Sequence, residues 1–256
     1  MVGFPYVSQI QFDPSGKLTL LGIPIDAVTM DQAVSRILHL LESHRQHHVA
    51  TPNSEMLVEA SENEVFRRVL QTTSLNIPDG AGLLFAARFT GTRLPERVTG
   101  VDTFQHLCLV LTGEHPVFLL GARPGVAEKA AEILKSQNPR LKIAGTFAGS
   151  PKETDTREAI ARINASNAAF LFVAYGSPAQ ELWIAKHLPS LTSVRVAMGV
   201  GGSFDFVTGV QKRAPVVFQK LRLEWLWRLI REPRRWRRIW NAVVVFPLMI
   251  LRRRTA

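Results

Sequence analysis

The sequence predicts an α/β fold: a Rossmann-like, mainly parallel sheet flanked by helices, with a basic helical appendage at its C-terminal end. Three observations carry that prediction. Short β-branched or apolar runs alternate with longer amphipathic stretches, glycine, proline and polar residues cluster directly after the runs, and the character of the chain changes after residue 211. With 256 residues, 46% of them apolar and 20% charged, the chain can bury a full core, and disordered and collagen-like classes are excluded.

Taken in order, Leu20 to Ile25 reads as a strand, followed by a helix from Asp31 to Ser43 with Val34, Ile37, Leu38 and Leu41 on one face. His48 to Thr51 is the next strand. Ser54 then reads as the cap of a single helix to about Leu70, with Glu55 in its first turn suiting the positive end of the dipole. Leu75 to Ile77 is a strand that stops at Pro78-Asp79-Gly80, and helices follow over 81–90 and 101–112. Pro116 to Leu120 opens a second alternation: helix 124–137, strand 141–147, helix 154–166, strand 168–175, helix 178–188 and strand 194–199. Beyond Arg213-Ala214-Pro215 the chain becomes helical, aromatic and basic. The expected organisation is therefore a catalytic-size α/β domain over 1–211 and an appendage over 212–256.

Charge sharpens that boundary. Residues 212–256 hold 13 Lys and Arg against Glu224 and Glu232, a net +11, whereas the first 211 residues hold 18 basic against 19 acidic groups, a net −1. A near-neutral body with such a tail points to an anionic partner: phospholipid, diphosphate or nucleic acid. Within the tail, Ala242 to Leu251 is too short for a membrane span and contains Pro247. It either lies on a bilayer surface or packs back on the body. The N-terminus lacks a basic region followed by an apolar run, which leads to the expectation of a cytoplasmic location. The single cysteine, Cys108, excludes an intrachain disulfide and reads as a buried structural thiol.

In open α/β sheets ligands collect outside the carboxyl ends of the strands. Four such ends are polar or glycine-rich: Thr51-Pro52-Asn53, Pro78-Asp79-Gly80, Gly121 to Gly125, and Gly176 to Glu181 including Gln180. Asp79 suits a general base at the mouth of the sheet, although a lone Pro-Asp-Gly reads more simply as a turn or a helix cap. Gly121 to Gly125 resembles a phosphate-approaching loop without matching either nucleotide fingerprint. Asp205, after Gly201-Gly202, is placed to hold a ribose or sugar hydroxyl or is an ordinary turn residue. No Asp-x-Asp triplet and no cluster at metal-ligand spacing occurs, so a reaction without metal or other cofactor is expected. In the tail, Arg228, Arg231 and Arg235 share a helix face provided Pro233 only kinks it, and tryptophan mixed with arginine suits a membrane interface, a nucleic acid or a solvated basic face.

Read together, TPN at 51–53, IPDGAG at 77–82, RVTGVD at 97–102, GSPAQELW at 176–183, GVGGSFDFVTG at 199–209, RAP at 213–215 and EWLWRLIREPRRWRR at 224–238 resemble the WecG/TagA/CpsF family of glycosyltransferases. The likeness runs in order from about residue 20 to 240. It implies an inverting transfer of N-acetylmannosamine, its uronic acid or another hexose from a UDP-sugar to a polyprenyl-diphosphate-linked sugar in surface polysaccharide synthesis. The resemblance makes Asp79 the base, Thr51, Asn53, Arg97 and Gln180 pocket residues, and Arg228, Arg235 and Arg238 contacts to diphosphate in an appendage that closes over the site at the membrane. Gly121, Gly176, Glu181 and Asp205 complete the expected substrate pocket. Ser177 and Ala179 depart from the family pattern, which loosens the inference about the donor. The implied partners are a UDP-sugar, the lipid-linked acceptor and the anionic inner face of the cell membrane, and the aromatic tail is compatible with a homo-oligomer. The competing reading is a nucleic-acid-binding α/β protein that uses the basic tail, for which the polar strand ends have no purpose.

Overall fold

The computed structural model describes residues 12–13, 17–91, 93–211, 214–215, 218 and 224–254. Two sheets are present among them. The smaller is antiparallel, β1 (Phe12–Asp13), β2 (Lys17–Leu20) and β3 (Ile23–Asp26). The single strand expected over 20–25 is thus a hairpin. Leu20 pairs with Ile23 across Leu21 and Gly22, whose φ values of 50° and 83° are the positive pair that a tight two-residue hairpin turn demands.

The larger sheet has six parallel strands in the order β5-β4-β9-β8-β6-β7: β4 (His47–Ala50), β5 (Leu75–Asn76), β6 (Val117–Gly121), β7 (Ile143–Phe147), β8 (Phe170–Ala174) and β9 (Val196–Gly199). Every residue of β6 and β9 is buried, the condition that produces near-continuous apolar runs in a sheet covered on both faces. The two-residue period sorts the side chains: Val117 and Leu119 enter one core with α1 (Met30–Leu41), α5 (Gly100–Val110) and α6 (Val126–Gln137), while Phe118 and Leu120 enter another with α7 (Glu153–Ser166) and α8 (Ala179–His187).

The helix expected from Ser54 to Leu70 is two helices, α2 (Ser54–Glu62) and α3 (Glu64–Thr72). Asn63 leaves helical geometry and its Oδ1 accepts the N–H of Phe66 at 3.0 Å, so it caps α3 while ending α2. The cap of α2 is Asn53, not Ser54: Asn53 Oδ1 accepts the N–H of Met56 at 3.0 Å. Helix α4 (Ala81–Phe89) and the short α9 (Ser203–Val207) complete the region before residue 212.

The C-terminal segment is α10 (Glu224–Arg231), a 3-10 turn over Pro233–Arg235, α11 (Trp236–Trp240), a π turn over Asn241–Val245, and α12 (Phe246–Arg254). Pro233 breaks the helix instead of kinking it: Glu232 sits at φ −134°, ψ 71°, the extended bias of a residue before proline. Arg231 and Arg235 therefore do not share one continuous helix face. The stretch 242–251 is packed on the body, since Phe246 is fully buried and Ile250 is 7% exposed in a core with Met56, Leu83, Ala86 and Ala87 of α2 and α4. Trp236, Trp240, Val243, Leu248 and Leu251 remain on the outside. Among the described residues no helix is long and apolar enough to cross a membrane.

Candidate active site

The carboxyl ends of β4 and β5 are knitted into one corner by backbone bonds. Asp79 N–H donates to the Pro52 carbonyl at 2.9 Å, and Val98 N–H donates to the Pro78 carbonyl at 3.0 Å, which brings the Arg97 loop beside Asp79. Helix α4 takes Gly80 as its cap, at φ 109° and with no side-chain cap bond. Asp79 is thereby released from the capping role that its local sequence suggested. Its half-buried carboxylate instead accepts the Gly100 N–H through Oδ2 at 3.1 Å, at the start of α5. A first-turn N–H is an otherwise unused donor.

Thr51 is buried against the same turn, and a β-carbon at Gly100 would stand 2.9 Å from its Oγ1. Glycine at 100 is what lets α5 begin this close to Thr51 and Asp79. Asn53 contributes its side-chain oxygen to the α2 cap described above, so its amide is held at the rim.

The second half of the candidate site lies at the ends of β6, β8 and β9. Gly121 has φ 98°, and a β-carbon there would meet the Ala174 backbone at 3.0 Å and the Tyr175 ring at 2.8 Å. Ala122 N–H donates to the Ala174 carbonyl at 3.2 Å, holding the β6 loop beside the β8 loop. Arg123 in that loop donates to Asp205 Oδ1 at 3.3 Å, which ties it to α9. Gly176 and Gly201, both at positive φ, form the loops after β8 and β9, and Ser177-Pro178 is a cis peptide. Gln180 is 4% exposed and Glu181 fully buried, so their side chains are directed into the protein beneath these loops.

The two halves are bridged from the C-terminal segment. Arg238 pairs through Nε with Glu55 in the first turn of α2, and its Nη2 donates to the Ser177 carbonyl at 3.4 Å. Arg235 is engaged instead by Glu232 at 2.5 Å, and Glu232 also accepts from Gln211 at 2.7 Å. The side chain of Arg228, like Lys212 and Arg213, lies outside the described residues. Among the described residues there is no group of three or more His, Cys, Asp or Glu side chains that could hold a metal ion.

Sequence reasoning singled out Thr51, Asn53, Asp79 and Arg97, which lie on one side, and Gly121, Gly176, Gln180 and Asp205, which lie on the other, but it also put Glu181 in the substrate pocket, whereas Glu181 is fully buried with its two carboxylate oxygens held by His48 and Gln180. It passed over three that matter to the geometry. Gly100 was visible as a glycine directly after a capping threonine, Thr99 Oγ1 accepting the Asp102 N–H at 3.1 Å. Glu55 read only as a first-turn acid and His48 only as a strand residue, because their partners are 183 and 133 residues away in the chain. Cys108 has the expected structural character: burial pushes its thiol well up, away from nucleophilic use.

Comparison with known proteins finds relatives along most of the chain. Three relatives are each described as an N-acetylglucosaminyldiphosphoundecaprenol N-acetyl-β-D-mannosaminyltransferase. That of Bacillus spizizenii is 36% identical over 200 residues, 78% of this chain and 77% of the relative. The Bacillus subtilis protein is 36% identical over 193 residues, 75% and 74% of the two chains, and the protein from Staphylococcus aureus MRSA252 is 30% identical over 228 residues, 88% and 87%. Residues 18–256 match the glycosyl transferase WecG/TagA/CpsF family, and the chain belongs to that family of glycosyltransferases.

Proposed function

We propose that this enzyme transfers N-acetylmannosamine, or its uronic acid, from a UDP-sugar to a polyprenyl-diphosphate-linked sugar in surface polysaccharide synthesis, with inversion and with Asp79 as general base. The observation that carries the reading is the Asp79 carboxylate, oriented by the Gly100 N–H at the carboxyl end of the sheet, where Thr51, Asn53 and Arg97 also gather. In a single displacement the acceptor hydroxyl oxygen attacks the anomeric carbon, its proton passes to Asp79, and the bond from that carbon to the UDP oxygen breaks with both electrons leaving on the diphosphate. The relatives' names, which specify an N-acetylmannosaminyl group and a diphosphoundecaprenol acceptor, support the choice of substrates.

The leaving diphosphate needs positive charge, which the reading assigns to arginine in place of a divalent metal. Arg238, reaching from the C-terminal segment to the Ser177 carbonyl, and Arg123 on the β6 loop support that assignment. In this reading residues 1–211 form the catalytic body and 212–256 an appendage that meets the anionic cytoplasmic face of the membrane. Trp236 and Trp240, each 55% exposed beside Arg234 and Arg237, have the mixed aromatic and cationic character of such a surface.

The test is transfer by the full chain from UDP-N-acetylmannosamine to a short-chain lipid-diphosphate-linked N-acetylglucosamine in the presence of a chelator. Asp79→Asn is expected to lower kcat by about 10²- to 10⁴-fold, the usual contribution of a positioned base, with little change in melting temperature. A folded variant that keeps near-full rate removes Asp79 from the role.

A further inference from the structure

Beneath the glycine-rich loops lies a buried ionisable pair that the transfer chemistry does not use. His48, the second residue of β4, is 8% exposed, and Glu181, the third residue of α8, is fully buried. Their Nε2 and Oε2 atoms are 2.6 Å apart. A carboxylate so placed is out of reach of a substrate, and burying it is expensive unless its lone pairs meet donors. Both of its oxygens do, because Gln180 Nε2 donates to Glu181 Oε1 at 2.9 Å.

That second bond decides which way Gln180 faces. With its nitrogen turned to Glu181, its oxygen points to the loops and accepts the N–H of Gly176 at 3.1 Å and of Gly201 at 2.9 Å. Donation therefore runs one way, from the loop glycines to Gln180 and from Gln180 and His48 to Glu181. The network joins β4 and α8 to the loops after β8 and β9. Gly199 makes room for it, since a β-carbon there would stand 2.3 Å from Glu181 Oε1 and 2.4 Å from Gln180 Nε2.

We infer that Glu181 and His48 are positioning residues: acting through Gln180, they hold the β8 and β9 loops in the shape that receives the nucleotide diphosphate of the donor. The inference rests on the transferase reading given above. Those loops border the Arg123–Asp205 pair, in the half of the candidate site that does not hold Asp79. Loss of the network is accordingly a loss of donor binding more than of the proton transfer.

Four variants of the full chain test this. Glu181→Leu and His48→Leu delete the acceptor and the donor. Glu181→Gln still accepts from Gln180 and can donate to a neutral His48, and His48→Gln still donates to the carboxylate. The leucine variants are expected to weaken UDP binding, by calorimetry, and to raise the donor KM about 10-fold, with kcat and acceptor KM within about threefold, whereas the glutamine variants stay within about twofold of wild type. If a leucine variant does not fold, His48→Asn, polar but one methylene shorter than glutamine, takes its place and is expected to show the same rise. Unchanged UDP affinity in folded leucine or asparagine variants overturns the inference, as does an equal loss in the leucine and glutamine pairs. A wild-type chain that neither binds UDP nor transfers sugar overturns the donor reading itself, and with it the inference. A wild type that does both, matched by its leucine variants, overturns the inference alone.

Discussion

Gly100→Ala tests the geometry of Asp79, the proposed base, without touching its carboxylate. Gly100 has no positive φ that an L residue would strain, so the whole effect comes from the added methyl. That methyl would lie 2.9 Å from Thr51 Oγ1 and 3.4 Å from Thr51 Cγ2, both closer than ordinary contact, and Thr51 is buried and β-branched. Relief comes most cheaply by moving the first turn of α5 outward by a few tenths of an ångström. The Gly100 N–H to Asp79 Oδ2 bond is already 3.1 Å long, near the upper end of the N–H···O range. Because the bond is made in the resting enzyme as well, its loss acts on kcat through misplacement of the carboxylate: an error of about 1 Å costs about 10²-fold, so a few tenths of an ångström correspond to roughly 3- to 10-fold. Steady-state kinetics should show that fall at nearly unchanged donor KM, with the melting temperature within a few degrees of wild type. A kcat within twofold of wild type refutes the claim that the Gly100 N–H orients Asp79.

Phe246→Ala removes a fully buried ring from the core shared by α12, α2 and α4, at a cost of about 3–5 kcal/mol where the site does not collapse. Either the whole chain melts several degrees lower, or the segment detaches first and trypsin cuts at Arg237 and Arg238 faster; a variant unchanged in both assays shows that α12 is not docked. Arg238→Ala breaks the link from α11 to Glu55 and to the Ser177 carbonyl and removes a positive charge proposed for the departing diphosphate, and is expected to lower kcat about 10-fold or more; a folded variant with near-wild-type kcat contradicts that role. Cys108 should resist a thiol reagent at pH 8 in the folded enzyme and react fully after denaturation, because burial raises its pKa and blocks access; rapid labelling of the native chain contradicts its burial.

Much of the fold was legible because the parallel strands announce themselves locally. Phe170–Ala174 and Val196–Gly199 are unbroken apolar runs between amphipathic helices, and no alternative element suits a run that short with both faces covered. The errors came where a local pattern had two outcomes. Leu21-Gly22 reads as the middle of an apolar strand until Leu20 is seen paired with Ile23. Asn63 reads as a tolerated helix interior until its side chain is seen to cap the next helix. Pro233 left open a kink or a break, and the extended geometry of Glu232 selects the break.

The site divides along the same line. By itself the sequence determined the polar residues at the strand ends, because a parallel sheet sends all its carboxyl ends to one edge whatever the details of packing. It could also place the charge in the last 45 residues. Only the tertiary structure decided that Gly80 rather than Asp79 caps α4, that Gly100 supplies the donor to Asp79, that Arg238 spans from Glu55 to Ser177, and that Glu181 faces His48 and Gln180 instead of the cleft. A side chain's role is set by which donors and acceptors lie within about 3 Å of it, and for Asp79, Arg238 and Glu181 a deciding partner, Gly100, Glu55 or His48, comes from 21, 183 or 133 residues away, which no local pattern connects.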